Sequence, residues 1–348
     1  MTDQPARPTI HYPVDERWLA TYVEEAIDPR RPIVDPHHHL WDRQQRYLLD
    51  ELLKDLNTGH NILATVYLQC GSMYRADGDP AYASVGETEF VNGVAAMSAS
   101  GSYGTPRACA GIVGHADLQR LGAGIEPVLE AHVRAGGGRF RGIRNSSVWD
   151  ADSSIVTTPT PPPRGLLGDA RFREGFARLA TFGLSFDAWL YHPQIGELAA
   201  LARAFTDTTI VLDHVGAPLG IGVYEGRRAE VFETWRDAIR DIARCPNVNV
   251  KLGGLGMKVM GFGFEKQPRP PSSEELAREW RPYLETCIES FGVDRAMFES
   301  NFPVDKQSCG YAVLWNAFKR FAAGYSEADK HALFVGTACR VYRLEARE

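Results

Sequence analysis

The stretch IVDPHHHLWD, residues 33–42, governs how the rest of the chain is read, because it sets three imidazoles at the end of a short apolar run. The run reads as a buried β-strand. Side chains two apart in a strand share a face, so Asp35, His37 and His39 point one way and Pro36, His38 and Leu40 the other. Two histidines on one face are a metal-ligand pair, since neutral imidazole is a common ligand of divalent zinc-like ions. Taken alone, the same residues also suit a surface turn, with Pro36 interrupting the strand and Trp41 and Asp42 opening a loop.

Seven further β-branched or aromatic-rich runs follow: NILATVYLQC (61–70), PRACAGIVGHAD (106–117), RFRGIRNS (139–146), LSFDAWLYHP (184–193), TTIVLDHVG (208–216), NVNVKLGG (247–254) and RAMFESNFP (295–303). Between most of them the spacing predicts helices, over residues 88–100, 122–135, 169–181, 194–205, 229–243 and 273–291. The last opens with SSEE, in which a serine caps the helix and a glutamate reaches back to it. Near-continuous apolar runs such as TTIVL fit strands covered on both faces. Strand then helix, repeated eight times, predicts an α/β fold, a single (β/α)8 TIM barrel. It spans residues 31–348, with an N-terminal arm over 1–30 and final helical segments at 311–321 and 326–344. Two long loops follow strands four and seven, SSVWDADSSIVTTPTPPPRGLL and GGLGMKVMGFGFEKQPRPP. Both leave carboxyl ends of strands, where barrel active sites are built.

The 348 residues, 44% of them hydrophobic and 24% charged, supply ample material for a large core. A formal net charge of -6 gives no electrostatic reason to expect nucleic acid or an anionic membrane as partner. No run approaches the roughly 20 apolar residues of a membrane span, and the first 18 residues carry acids and prolines in place of a signal core. The six scattered cysteines form no CxxC pair, which suits a reducing cytosol. The expectation is a cytoplasmic protein with a small-molecule partner, able to form a homo-oligomer.

Polar residues recur just beyond each apolar run. Strand one offers His37 and His39, strand two Gln69, strand four Arg141 and Asn145, strand five His192, strand six Asp213 and His214, strand seven Lys251 and strand eight Asn301. Four of the ten histidines thus converge on one rim.

In these motifs the chain resembles the amidohydrolase-related (amidohydrolase-2) hydrolases of TIM-barrel fold. The likeness runs from DPHHHLWD through GETEFVNGVAAMSASGSYG, FRGIRN, DAWLYHP, LDHVGAP and VKLGGLGM to MFESNFPVDK. Members include lactone hydrolases acting on pyrone dicarboxylate, sulfomuconolactone and sugar lactones, some zinc-dependent and at least one metal-free; the wider superfamily holds nonoxidative decarboxylases. The resemblance implies that His37, His39, His192 and His214 hold a metal or the substrate. It also implies an aspartate at the strand-eight position, as the base that takes a proton from water. Here that position is Asn301, and a neutral amide accepts no proton near pH 7.

With Gln69, Asn145 and Asn301 all amides, the site is too poor in charge for a two-metal centre. One divalent ion, Zn²⁺ or similar, suits the histidines; alternatively they bind the substrate carbonyl directly. The base then falls to Asp305, four residues beyond Asn301, or to Asp213, and Asp35 orients a histidine. Strand alternation puts Arg141 inward with Asn145, placing a guanidinium to clamp a substrate carboxylate, while Tyr74 and Arg75 add a loop at the same rim and Lys251 adds positive charge. Trp41, Trp149, Trp189, Tyr191, Phe262 and Phe264 either wall a pocket or pack the core; if His192 points inward, Trp189 and Tyr191 face the helices. The expected reaction is opening of a lactone by water. Decarboxylation of an aromatic acid at a metal, and a binding protein without turnover, are the alternatives.

Overall fold

The structure is a computed structural model that describes residues 13–43, 45–158 and 160–345. Eight strands pair in chain order, all parallel: β1 (Pro32–His38), β2 (Asn61–Leu68), β3 (Arg107–Gly114), β4 (Phe140–Ser146), β5 (Ser185–Trp189), β6 (Ile210–Leu212), β7 (Val248–Leu252) and β8 (Ala296–Phe298). β8 returns to β1 just past its own end, where the Asn301 amide donates to the His37 carbonyl at 2.9 Å and the His39 amide to the Phe302 carbonyl at 2.8 Å. The expected barrel is present, and the bonds that join its last strand to its first involve the backbone of the HxH motif itself.

A principal helix follows every strand: α1 (Leu49–Leu56), α2 (Val85–Ala99), α3 (Glu126–Ala135), α4 (Ala170–Phe176), α5 (Ile195–Ala204), α6 (Arg228–Ile242), α7 (Ser273–Phe291) and α8 (Tyr311–Phe321). α7 and α8 have the bounds their patterns predict. The α7 cap is the expected box, with Ser272 Oγ accepting from the Glu275 amide and the Glu275 carboxylate from the Ser272 amide. α1 was not anticipated, because its short LDELLKDL sequence follows β1 after a two-stranded ribbon of Trp41–Asp42 and Arg46–Tyr47. The predicted helix over 326–344 is divided into Glu327–His331, Ala332–Gly336 and Thr337–Tyr342.

The barrel and its helices share one core, into which Trp235, Trp280 and Trp315 are fully buried. A second, separate apolar cluster lies over the carboxyl ends of the strands. It is drawn from the loops after β4 (Val148, Ile155), β5 (Tyr191), β6 (Ala217, Leu219), β7 (Met257, Val259, Met260) and β8 (Val304), together with Trp189 at the end of β5. The two long loops supply half of this cap.

Of the proposed arm, residues 1–12 lie outside the described residues. The rest begins with a turn of helix, Glu16–Leu19, capped by Asp15, and is fastened to α8. Buried Asn316 accepts from the Ile27 amide at 2.8 Å and donates to Glu24 Oε2 at 2.9 Å and the Glu25 carbonyl at 2.8 Å. Asn316→Ala removes all three bonds between α8 and the partly buried arm, at a cost of about 2 kcal/mol. A fall of several degrees in Tm, followed by circular dichroism, is the expected result.

Candidate active site

At the carboxyl ends of β1, β5, β6, β7 and β8 lies a sealed polar cluster. Its centre is His37, wholly buried. Glu299, the first residue past β8, places Oε2 2.8 Å from His37 Nδ1 and Oε1 2.7 Å from His214 Nδ1, and the two imidazole rings are 4.5 Å apart. Lys251 Nζ reaches Asp187 Oδ2 at 2.7 Å, Asp213 Oδ1 at 3.1 Å and His37 Nδ1 at 3.2 Å. Arg144 Nη1 lies 3.3 Å from His37 Nε2 and 3.7 Å from Asp213 Oδ2, and its Nη2 donates to the Gln69 carbonyl. His39 donates from Nδ1 to the Leu68 carbonyl at 2.8 Å, leaving Nε2 as an acceptor 3.3 Å from His37 Nε2. Each ring nitrogen of His37 thus faces one donor and one acceptor.

Burial governs the protonation of this group. It drives His37 well below the usual imidazole range, with Lys251 adding to the effect, and drives His39 down likewise with help from Arg144. Burial alone would lower Lys251, but Asp187 and Asp213 hold its ammonium above the ordinary value. Of the two carboxyls sharing that ammonium, Asp187 is raised by burial and Asp213 is held down by Lys251, His214 and Arg144 against its own burial. Asp305 is fully buried and pushed up to about 7, although it accepts from the Gly256 amide at 2.9 Å and from Asn301 Nδ2 at 2.8 Å.

The residues fit a cation. Two cations, Lys251 and Arg144, are outnumbered by four buried carboxyl groups, Asp187, Asp213, Glu299 and Asp305. Both oxygens of Asp213 and Oε2 of Glu299 lack an aligned hydrogen-bond donor, a costly state for buried acceptors that bound positive charge relieves. His37, His214 and Glu299 each offer one ligand atom, all within 4.8 Å of one another. Two nitrogens and a carboxylate oxygen are a donor set that a zinc-like ion accepts while keeping a position open.

Local backbone makes room for this packing. His214 and Asn301 both have a left-handed φ of 55°, the kind of strain found at functional sites. In the GGLGM segment after β7, a Cβ on Gly253 would meet the Glu299 carbonyl oxygen at 2.4 Å, and one on Gly254 would meet His214 Nδ1 at 2.4 Å. Asp35, pushed up to about 6 by burial, accepts from the amides of His37 and Ser300 and from Tyr311, and so ties β1 to the segment after β8.

Several expected residues sit elsewhere. Arg141 is not inward: Arg144 is, because Gly142 and Ser185 pack against each other inside the barrel and so fix the opposite alternation. Arg141 instead donates to the carbonyls of Gly138 and Phe140 at the amino end of β4. His192 does not join the cluster. β5 ends at Trp189 and the chain turns into a 3-10 segment, His192–Gln194, where His192 Nδ1 accepts from the Leu219 amide at 3.3 Å and the ring meets Tyr224. Consequently Asp187 and Trp189 are the inward residues of β5, and Trp189 packs edge-on against His214 at 5.0 Å. Arg75 is turned to Glu89 on α2, and Tyr74 is 38% exposed on the same loop. Gln69 contributes its carbonyl, and Asn145 donates to the Ala116 carbonyl with its own Oδ1 buried and unpartnered. Glu299 was missed, although it bears the mark used for the other strands, a charged residue directly after an apolar run.

The amidohydrolase family model matches residues 34–344, and the chain belongs to that family. It is 34% identical over 335 residues to a relative from Sinorhizobium fredii titled uncharacterized protein y4mH, covering 90% of this chain and 98% of that one. It is 27% identical to an L-fucono-1,5-lactonase of Burkholderia multivorans, over 68% of this chain and 72% of the relative. Among solved structures, an amidohydrolase from Burkholderia multivorans with bound zinc superposes with a TM-score of 0.69 at 26% identity, covering 90% of this chain and 100% of that one. No helix among the described residues is long and apolar enough to cross a membrane.

Two glycine substitutions separate the clash at the site from backbone strain alone. Gly254→Ala adds both a strained φ of 67° and a clash with His214, whereas Gly78→Ala adds only a strained φ of 93° in open space. Gly254→Ala is expected to lower Tm several degrees further than Gly78→Ala.

Proposed function

We infer that this amidohydrolase opens a lactone. Water attacks the ester carbonyl carbon, the acyl–oxygen bond breaks, and the ring oxygen leaves with a proton to give a hydroxy acid. The observation that carries the reading is the buried excess of carboxyl groups around His37 and His214 at the mouth of the barrel; the lactonase among the relatives supports the substrate class.

One divalent ion, of the zinc type, would be held by His37, His214 and Glu299, with His39 Nε2 beside them. When bound, it supplies Lewis-acid polarisation of the carbonyl. The remaining work falls to this chain's own groups. Asp305 takes the proton of the attacking water, since a carboxyl near 7 is both available as carboxylate and basic enough to accept. Asn301, which cannot be the base, holds the base in place through its Nδ2 hydrogen bond to Asp305 Oδ1. Arg144 donates towards the oxygen on which negative charge develops, and losing such a donor typically costs about 100-fold or more in rate. Lys251 is held against Asp187 and Asp213 beneath His37 and is not free to bind substrate.

His37→Ala, His214→Ala and Glu299→Gln are each expected to lower lactone hydrolysis by at least about 100-fold and to reduce zinc content by elemental analysis, with the far-UV spectrum kept. Full activity in any one would reject the site. The pH profile supplies a second check. Asp305 is protonated below about 7 and ionised above, so a base there makes kcat rise with pH and level off beyond about 7. Asp305→Asn should flatten that limb. Release of CO₂ from an aromatic acid, with no lactone opened, would select decarboxylation, and no turnover of either class would select a binding role.

A further inference from the structure

The part of the substrate that does not react must rest against something, and the surroundings of the cluster say what. Above His214 stands Trp189, and beside His39 the ring of Trp41 is stacked at 5.9 Å. Val148, Tyr191, Leu219 and Met257 continue the same apolar cap. Beyond the cap opens a groove of about 700 Å³. Tyr224 belongs to both, packing against the cap and lining the groove.

This surface offers little to a polyol. A sugar hydroxyl pressed against tryptophan, leucine and methionine gives up its hydrogen bonds to water without replacement. Nor does the entrance welcome an anion. The groove carries Asp150, Asp152 and Glu197 against Arg164, and Oε2 of Glu197 is buried without a partner; burial raises that carboxyl. Deeper in, Lys251 lies against Asp187 and Asp213 and Arg144 lies 3.7 Å from Asp213, with Glu299 and Asp305 also buried nearby, so a substrate carboxylate would add negative charge where carboxyl groups already outnumber cations. Apolar atoms, in contrast, exchange water for dispersion contacts and gain about 0.8 kcal/mol per buried methylene, or roughly fourfold in binding.

Resting on the lactone-opening reading, we propose that the natural substrate is an uncharged lactone with an apolar alkyl or aryl substituent, which the cap around Trp189 recognises. The substituent takes the place of part of the cap, entering past Tyr224.

The test uses the full chain supplied with zinc and follows proton release from δ-valerolactone, δ-decalactone, an aldono-1,5-lactone and a carboxylated 2-pyrone. kcat/KM is expected to rise by on the order of fourfold for each of the first added methylenes, with δ-decalactone at least 100-fold above the aldonolactone and the pyrone. Trp189→Ala should reduce the δ-decalactone to δ-valerolactone ratio at least fivefold, and Met257→Ala should reduce it in the same direction should the tryptophan variant not fold. Preference for the aldonolactone or the pyrone, or an unchanged ratio in a folded variant, overturns the proposal. If none of the four is opened, the hydrolytic reading fails, and the recognition claim is decided by calorimetry on the same compounds. Tenfold tighter binding of δ-decalactone than of the aldonolactone sustains it; equal or reversed affinities, or no binding, overturn it.

Discussion

The constraint on which the site depends is the fully buried ammonium of Lys251. It bridges Asp187 on β5 and Asp213 after β6 from its place on β7, so three consecutive staves of the barrel are cross-linked by one charge. Taking these ions out of water is expensive, and packed hydrocarbon would serve stability at least as well. Truncating one member, however, leaves an unmatched charge in a dry interior, typically at a cost of about 3–5 kcal/mol. The group therefore stands or falls as a unit: burial and the Lys251 ammonium keep His37 neutral, while the surrounding carboxylates suit a cation beside Glu299.

Geometry and chemistry share the same atoms. The hydrogen bonds by which the segment after β8 meets β1 run through the amide and carbonyl groups of His37, His39, Asn301 and Phe302, while the side chains of the histidines point into the mouth. Opening the barrel at this seam would disperse the ligands, and repositioning the ligands would strain the seam. The glycines after β7 serve the same close approach from the other side, since neither Glu299 nor His214 could come so near a backbone bearing side chains.

Much of this was legible in the sequence, and for physical reasons. Apolar runs of strand length alternating with helical periodicity fixed the barrel, and the capping pattern located the start of α7 at its residue. His37, His39, His214 and Lys251 were visible as polar residues just past apolar runs. Strands buried on both faces do not announce which alternation faces inward, so FRGIRN was read with Arg141 inward, whereas the Gly142 contact with Ser185 turns Arg144 inward instead. The end of a strand is equally silent: nothing in DAWLYHP reveals that the chain turns after Trp189 and carries His192 away. Glu299 was hidden by attention to Asn301, two residues later, which holds Asp305 in place.

Tyr342 adds a consequence of another kind. Its hydroxyl donates to Asp187 Oδ2, the same oxygen that receives the Lys251 ammonium, although the two partners are 155 residues apart. On a ribosome, β5 emerges long before residue 342 exists, so the floor of the polar cluster stays incomplete through most of synthesis. Contacts so distant in the chain form late and slowly. Nascent chains would thus reach a collapsed barrel first and acquire a competent interior only as the last helical segment docks, which separates the moment of folding from the moment of activation.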